Sequence, residues 1–195
     1  MLVLSQRLHL APIMSLQTGA RVAIAKEPII DPRRLHIVAL YCEGPLLDSE
    51  AAVLYTGDIR EVSDIGLIVD DSDVIMDPRQ LVRLQEVIDF DFHLMHLPVL
   101  TEHGKHLGKV SDYTVDTLTF LIHKIHVRRP LLRSLSVAEL IIDRQQIIEV
   151  TNQHIIVRSA TVTTEARSKS TAFANPFRTP SPQPDTIDGE RRSSS

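Results

Sequence analysis

The sequence predicts an all-β protein: two tandem small β-barrels related by internal duplication, one bridging helix, and a disordered C-terminal tail. Three observations carry this reading. The stretch His106–Leu132, HLGKVSDYTVDTLTFLIHKIHVRRPLL, lies without a gap on Arg21–Leu47, RVAIAKEPIIDPRRLHIVALYCEGPLL, 85 positions earlier. Short Ile/Val/Leu runs alternate with turn residues every 8–12 residues or so, the spacing of a small barrel or sandwich. A single helical pattern then stands between the two copies. A period of this size is too long for a solenoid and suits a small domain made twice. The expected division is residues 1–76 for the first barrel, 77–88 for the helix, 89–165 for the second barrel and 166–195 for the tail.

In the long match, Asp112 falls on Glu27, Asp116 on Asp31, Ile122 on Ile37, and Pro130-Leu131-Leu132 on Pro45-Leu46-Leu47. After a three-residue shift, Glu149-Val150-Thr151-Asn152 mirrors Glu61-Val62-Ser63-Asp64, and Ile155-Ile156-Val157 mirrors Leu67-Ile68-Val69. Upstream, His96-Leu97-Pro98-Val99 is set on His9-Leu10-Ala11-Pro12.

Taken in order, residues 2–13 alternate as one half-buried strand would. Thr18-Gly19-Ala20 supplies a turn. Val22 to Ile30 reads as a strand interrupted near Pro28, which has no N–H for a ladder and marks an edge or a bulge. Asp31-Pro32-Arg33-Arg34 is a tight turn, with Leu35 to Cys42 the apolar strand after it. Ala51–Tyr55 and Ile65–Val69 are short strands, the latter closed by Asp70-Asp71-Ser72-Asp73. Asp77-Pro78-Arg79-Gln80 combines a capping residue, a proline at the first helical position and Gln three residues on, which predicts a helix over 78–88. Leu81, Leu84 and Ile88 give it an apolar stripe, so it is expected to pack on one or both barrels.

In the second copy, Phe92, Leu94 and His96 are expected on one strand face. Glu102–Lys105 forms a turn, and strands follow over 107–115, 118–127, 140–142, 147–150 and 154–157. Beyond about Ala166, TAFANPFRTPSPQPDTIDGERRSSS has four prolines and too little apolar surface to offset its ordering entropy.

Composition narrows the function. Trp is absent and aromatics are 4 %, so the cores rest on Ile, Val and Leu. The net charge of −4 divides into a tail of +2 and a body of −6. An acidic body lacks the electrostatic footprint of a nucleic-acid binder. Cys42, the single cysteine, excludes an internal disulfide and fits a reducing compartment. No run reaches the roughly 18 apolar residues of a membrane helix, and the first residues lack a basic n-region. A cytoplasmic protein without membrane insertion is expected.

The segment GKHLGKVSDYTVD, residues 104–116, resembles the PRC-barrel family. These are small β-barrels found in the photosynthetic reaction-centre H subunit and at the C-terminus of the ribosome maturation factor that binds a small-subunit protein. The shared pattern is a glycine turn, Gly-x-Val-x-Asp, an apolar stretch ending in Asp, and a strand of Ile and Val. Here it is carried by Gly104, Gly108, Val110, Asp112, Val115, Asp116, Ile122 and Ile125. The first copy departs from it, with Ala23 in place of Gly108 and Glu27 in place of Asp112, while Asp31 is kept. The resemblance spans residues 2–160 as two barrels and implies a non-catalytic adaptor with a protein partner.

No phosphate loop, nucleophile elbow or His-Glu-x-x-His motif is present, and neither catalytic residues nor a cofactor is expected. Arg33, Arg34, Lys124, Arg128 and Arg129 are the candidate contacts with an acidic partner or RNA. The alternative is an RNA-associated ribosome assembly or maturation factor. A third reading is metal binding through the His-x-x-His pairs 93/96, 103/106 and 123/126. Residues three apart on a strand face opposite ways, so pairs lying on strands cannot chelate by themselves.

Overall fold

The computed structural model describes residues 1–44, 52–129 and 138–159. The Pro45–Leu47 and Pro130–Leu132 match and the tail from 166 lie outside the described residues. Fourteen strands and one α-helix are described. They are β1 (Leu2–Leu4), β2 (Pro12–Ser15), β3 (Arg21–Asp31), β4 (His36–Glu43), β5 (Ala52–Tyr55), β6 (Ile59–Ser63), β7 (Gly66–Val69) and β8 (Ile75–Met76). After α1 (Val82–Ile88) come β9 (Pro98–Thr101), β10 (His106–Asp116), β11 (Ile122–Arg129), β12 (Ala138–Asp143), β13 (Ile147–Val150) and β14 (Ile155–Val157). None of the described helices is long and apolar enough to cross a membrane.

The strands form two seven-stranded sheets, one in each half of the chain apart from β1. The first runs β6-β7-β2-β3-β4-β5-β8; the second runs β13-β14-β9-β10-β11-β12, with β1 added on β10. Six consecutive positions thus repeat one order. Each sheet has a single parallel pair at the same place, β2 with β7 (Ile13 opposite Leu67) and β9 with β14 (Val99 opposite Ile155). The turns repeat too. The Asp31 carboxylate accepts from Arg33 N at 3.0 Å, and that of Asp116 from Leu118 N at 3.0 Å, both two residues on. An Asx side chain closing its own turn in this way explains the acid at each site. The register shift between Ala25 and Pro28 places a bulge where the proline predicted one.

Four sequence expectations are corrected. Residues 2–13 are not one strand: Ser5–Arg7 forms a 3₁₀ turn between β1 and β2. β1 leaves its own half to pair with β10, Leu2 opposite Asp116 and Leu4 opposite Thr114. Alternation marks a strand but says nothing about a partner over a hundred residues away.

Secondly, the upstream match slips by one. Ile13 lies opposite Ala23 and Val99 opposite Gly108, so Pro12 is the counterpart of Pro98. A slip of one would have exchanged inward and outward faces.

Thirdly, residues 91–97 form no strand; Asp91 (φ 45°) and His96 (φ 68°) take left-handed backbone. Lastly, the helix is shorter. Asp77 accepts from Arg79 N at 2.9 Å and caps a 3₁₀ turn over Pro78–Gln80, which ends at Leu81 before α1 begins. The capping box of the described chain stands elsewhere, at Asp143 and Gln146.

One buried core runs through both halves, with Ile13, Ile37, Leu40 and Leu67 from the first and Leu94, Val99, Ile122 and Ile155 from the second. At the junction, Ile37 N donates to Phe120 O at 3.0 Å and Ile122 N to Leu35 O at 2.8 Å. These two bonds interchange under the 85-residue offset, as contacts do across a two-fold interface. Buried Leu35 (φ 45°) and Phe120 (φ 52°) hold left-handed backbone to make them. Such a conformation costs on the order of 1–3 kcal/mol per residue, so the surrounding packing must impose it.

The halves differ on their outer faces. Leu84 and Val87 of α1 cover Ile29, Ala39 and Val53 of the first sheet. At the corresponding positions the second sheet has Thr114, Lys124 and Ile141, and among the described residues no helix lies over them.

Candidate functional site

The family-type residues are placed for structure. Val110 is fully buried, and Gly104 (φ 76°) closes the turn before β10, its N donating to Thr101 O at 2.9 Å. Gly108 (φ 145°) sits where an added Cβ would stand 2.5 Å from Arg128 O. The Asp112 carboxylate accepts from Ser5 Oγ at 2.5 Å and from Tyr113 N at 2.7 Å, which ties the incoming N-terminal segment to β10. Asp116 also receives the N-terminal ammonium at 3.3 Å. The Leu118 amide, with that ammonium's help, holds its carboxyl below the usual range. Glu27, the counterpart of Asp112, is exposed in the β3 bulge.

The basic candidates separate into two groups. Arg33 and Arg34 belong to the β3–β4 hairpin. Arg33 is engaged, its Nε 3.0 Å from Asp31 and its guanidinium 5.1 Å from the Phe90 ring centroid. Lys124, Arg128 and Arg129 are exposed on β11. Lys124, His126 and Arg128 share its outward face by the two-residue period, opposite Asp143, Ile141 and Glu139 of β12.

On this face Thr114 Oγ1 is 3.0 Å from His126 Nε2, and His126 Nδ1 is 3.7 Å from Glu139 Oε1. Hydroxyl, imidazole and carboxylate in that order resemble a nucleophile, its base and an orienting acid. They stand in mid-strand on an open sheet, and the order arises from ladder register; a cross-strand polar network accounts for it. Among the described residues no group of three or more His, Cys, Asp or Glu is placed to hold a metal ion. The His93/His96 pair lies on the irregular segment before β9, so the strand argument does not apply to it.

A feature missed by sequence reasoning is a cleft between the halves, about 450 Å³ in volume. Ser5, Gln6, Leu8, His9 and the β3 bulge form one side, and residues 92–96 with Tyr113 form the other. Several walls are counterparts: Leu8 with Leu94, His9 with Met95, and Pro28 with Tyr113. Leu8, Ile30, Phe92, Leu94 and Tyr113 are all buried and make the floor apolar. His9, His93 and His96 stand exposed at the rim, beside Lys26 and Glu27. The only sequence signal was the apolar-histidine alternation of Leu8-His9-Leu10 and Leu94-Met95-His96, which reads equally as strand.

Cys42 lies apart from the cleft. Burial pushes its thiol up to about 12, so the thiolate that reacts with electrophiles is scarce. Native protein should therefore resist a thiol-disulfide reagent at pH 8 and take up one equivalent when unfolded in urea. Rapid labelling of the native state would show that the site opens.

No protein-family model matches the chain, and no curated protein does either.

Proposed function

We propose that the chain is a non-catalytic, tandem PRC-barrel protein acting in the cytoplasm as a protein-binding adaptor. In this reading the two sheets of like strand order are duplicated barrels fixed against each other, and the outer face of β10–β12 receives the partner. The observation that carries it is the difference between two like sheets. The first has an apolar outer face covered by α1, whereas the second presents Lys124, His126 and Arg128, with no helix over them among the described residues. A face freed from core duty is where recognition can be placed without loss of stability.

The charge pattern favours a protein over RNA. Lys124 and Arg128 each stand opposite an acid, Asp143 and Glu139. A phosphate backbone would meet those carboxylates, while a protein surface can match both signs. The test is affinity purification from the native cell with the wild-type chain and the triple variant K124E/R128E/R129E. A protein retained through nuclease treatment and lost with the triple variant is expected. Retention indifferent to the substitutions, or abolished by nuclease, would overturn the reading.

A further inference from the structure

The inter-half cleft offers a second site, independent of the β11 face. Its volume, about 450 Å³, falls in the range of about 300–1,000 Å³ typical of small-molecule sites, which combine apolar walls with a few placed polar groups. The floor holds two aromatic rings, Phe92 and Tyr113, among Leu8, Ile30 and Leu94. What such a pocket accepts is then decided by the charge left around it.

That charge is negative. Among the described residues lining the cleft, Lys26 is the one fixed cation, and Glu43 engages it at 2.5 Å. His93 is turned to Asp91, its Nδ1 3.3 Å from the Asp91 backbone oxygen, and imidazole is no permanent cation. Glu27 lines the cleft and has no ion-pair partner among the described residues. Asp112, its counterpart in the other half, is held beside Tyr113 by uncharged donors, Ser5 Oγ at 2.5 Å and Tyr113 N at 2.7 Å. Neutral donors leave its charge in place: after burial, that carboxylate is what raises the Tyr113 phenol. Each half thus brings one carboxylate without a cationic partner to the cleft.

We propose that the cleft binds a small organic ammonium cation, its hydrocarbon part against Leu8, Ile30 and Leu94 and its charge between Glu27 and the rings of Phe92 and Tyr113. An anion would meet two carboxylates and no unpaired lysine or arginine. A neutral apolar guest would fill the floor and gain nothing from the carboxylates. A cation gains from both, and aromatic faces attract it as well.

The probe is benzyltrimethylammonium, whose charge does not titrate, added to the full chain at pH 8 and low salt while the Met95 and Leu94 methyls are followed by NMR. Saturable shifts with a Kd of about 1 mM are expected. Glu27 is exposed, so substituting it leaves the core intact. Glu27→Gln should weaken the cation about threefold, the scale of one exposed charge pair, and the reversal Glu27→Lys on the order of tenfold. High salt should weaken it too, through screening. Benzyl alcohol, the uncharged relative, should bind wild type and both variants alike. The proposal is overturned by any of four results: no saturable shift at these methyls, equal affinity of the cation for wild type and Glu27→Lys, phenylacetate binding as tightly as the cation, or shifts centred on the separate Leu16–Ile65–Ile68 depression.

Discussion

Leu84→Ala should destabilise the protein by about 2–5 kcal/mol, the range for truncating a buried leucine. Leu84 is 1 % exposed and packs with Val87 on Ile29, Ala39 and Val53. Three strands, β3, β4 and β5, contribute to that surface, so a void there is bounded by backbone that cannot collapse freely. The same helix supplies a control: Val82 is 77 % exposed, and Val82→Ala should stay within about 0.5 kcal/mol. Urea melts of the two variants decide the matter. A Leu84→Ala cost below about 0.5 kcal/mol would make α1 a solvated tether, as for an ordinary surface change.

Gly108→Ala should cost roughly 3 kcal/mol, the upper end for backbone held in a sparsely populated region. Its φ of 145° disfavours any side chain, and the new Cβ would sit 2.5 Å from Arg128 O. That oxygen belongs to β11, paired to β10 close by, where Lys109 lies opposite Arg128. Relief therefore requires the two longest strands of the second sheet to separate. Gly104→Ala isolates the conformational part: at φ 76°, with no atom within 4 Å of its Cβ, it should lose only about 1–2 kcal/mol. Thermal melts showing equal losses would mean that β11 yields to the methyl, and that Gly108 is kept for backbone conformation alone.

Much of the strand layout was legible because its causes are local. Asp31 and Asp116 close their turns with their own side chains, Pro28 withholds an amide and produces a bulge, and Gly104 supplies a left-handed residue. Each effect acts over two or three positions and leaves its mark in the sequence. The candidate site was legible only in part. Lys124 and Arg128 were chosen for charge, and the structure does place them on one outward face of β11. Arg33 was chosen on the same ground and is engaged by Asp31 and Phe90, because a charge in sequence does not disclose what stands beside it.

By itself the sequence determined a mostly β chain, a helix near its middle and an apolar stripe leading into that helix. Hydrophobic periodicity and turn chemistry settle these points before any distant contact forms. Only the tertiary structure decided that β1 would leave its own half for β10, that the Leu35 and Phe120 carbonyls would accept from Ile122 and Ile37 across the junction, and that α1 would cover the first sheet. It alone made the cleft beside Tyr113. Those features depend on which surfaces meet across about a hundred residues of chain. Two sheets of like strand order present similar surfaces, so their mutual placement is settled by packing and not by the local pattern.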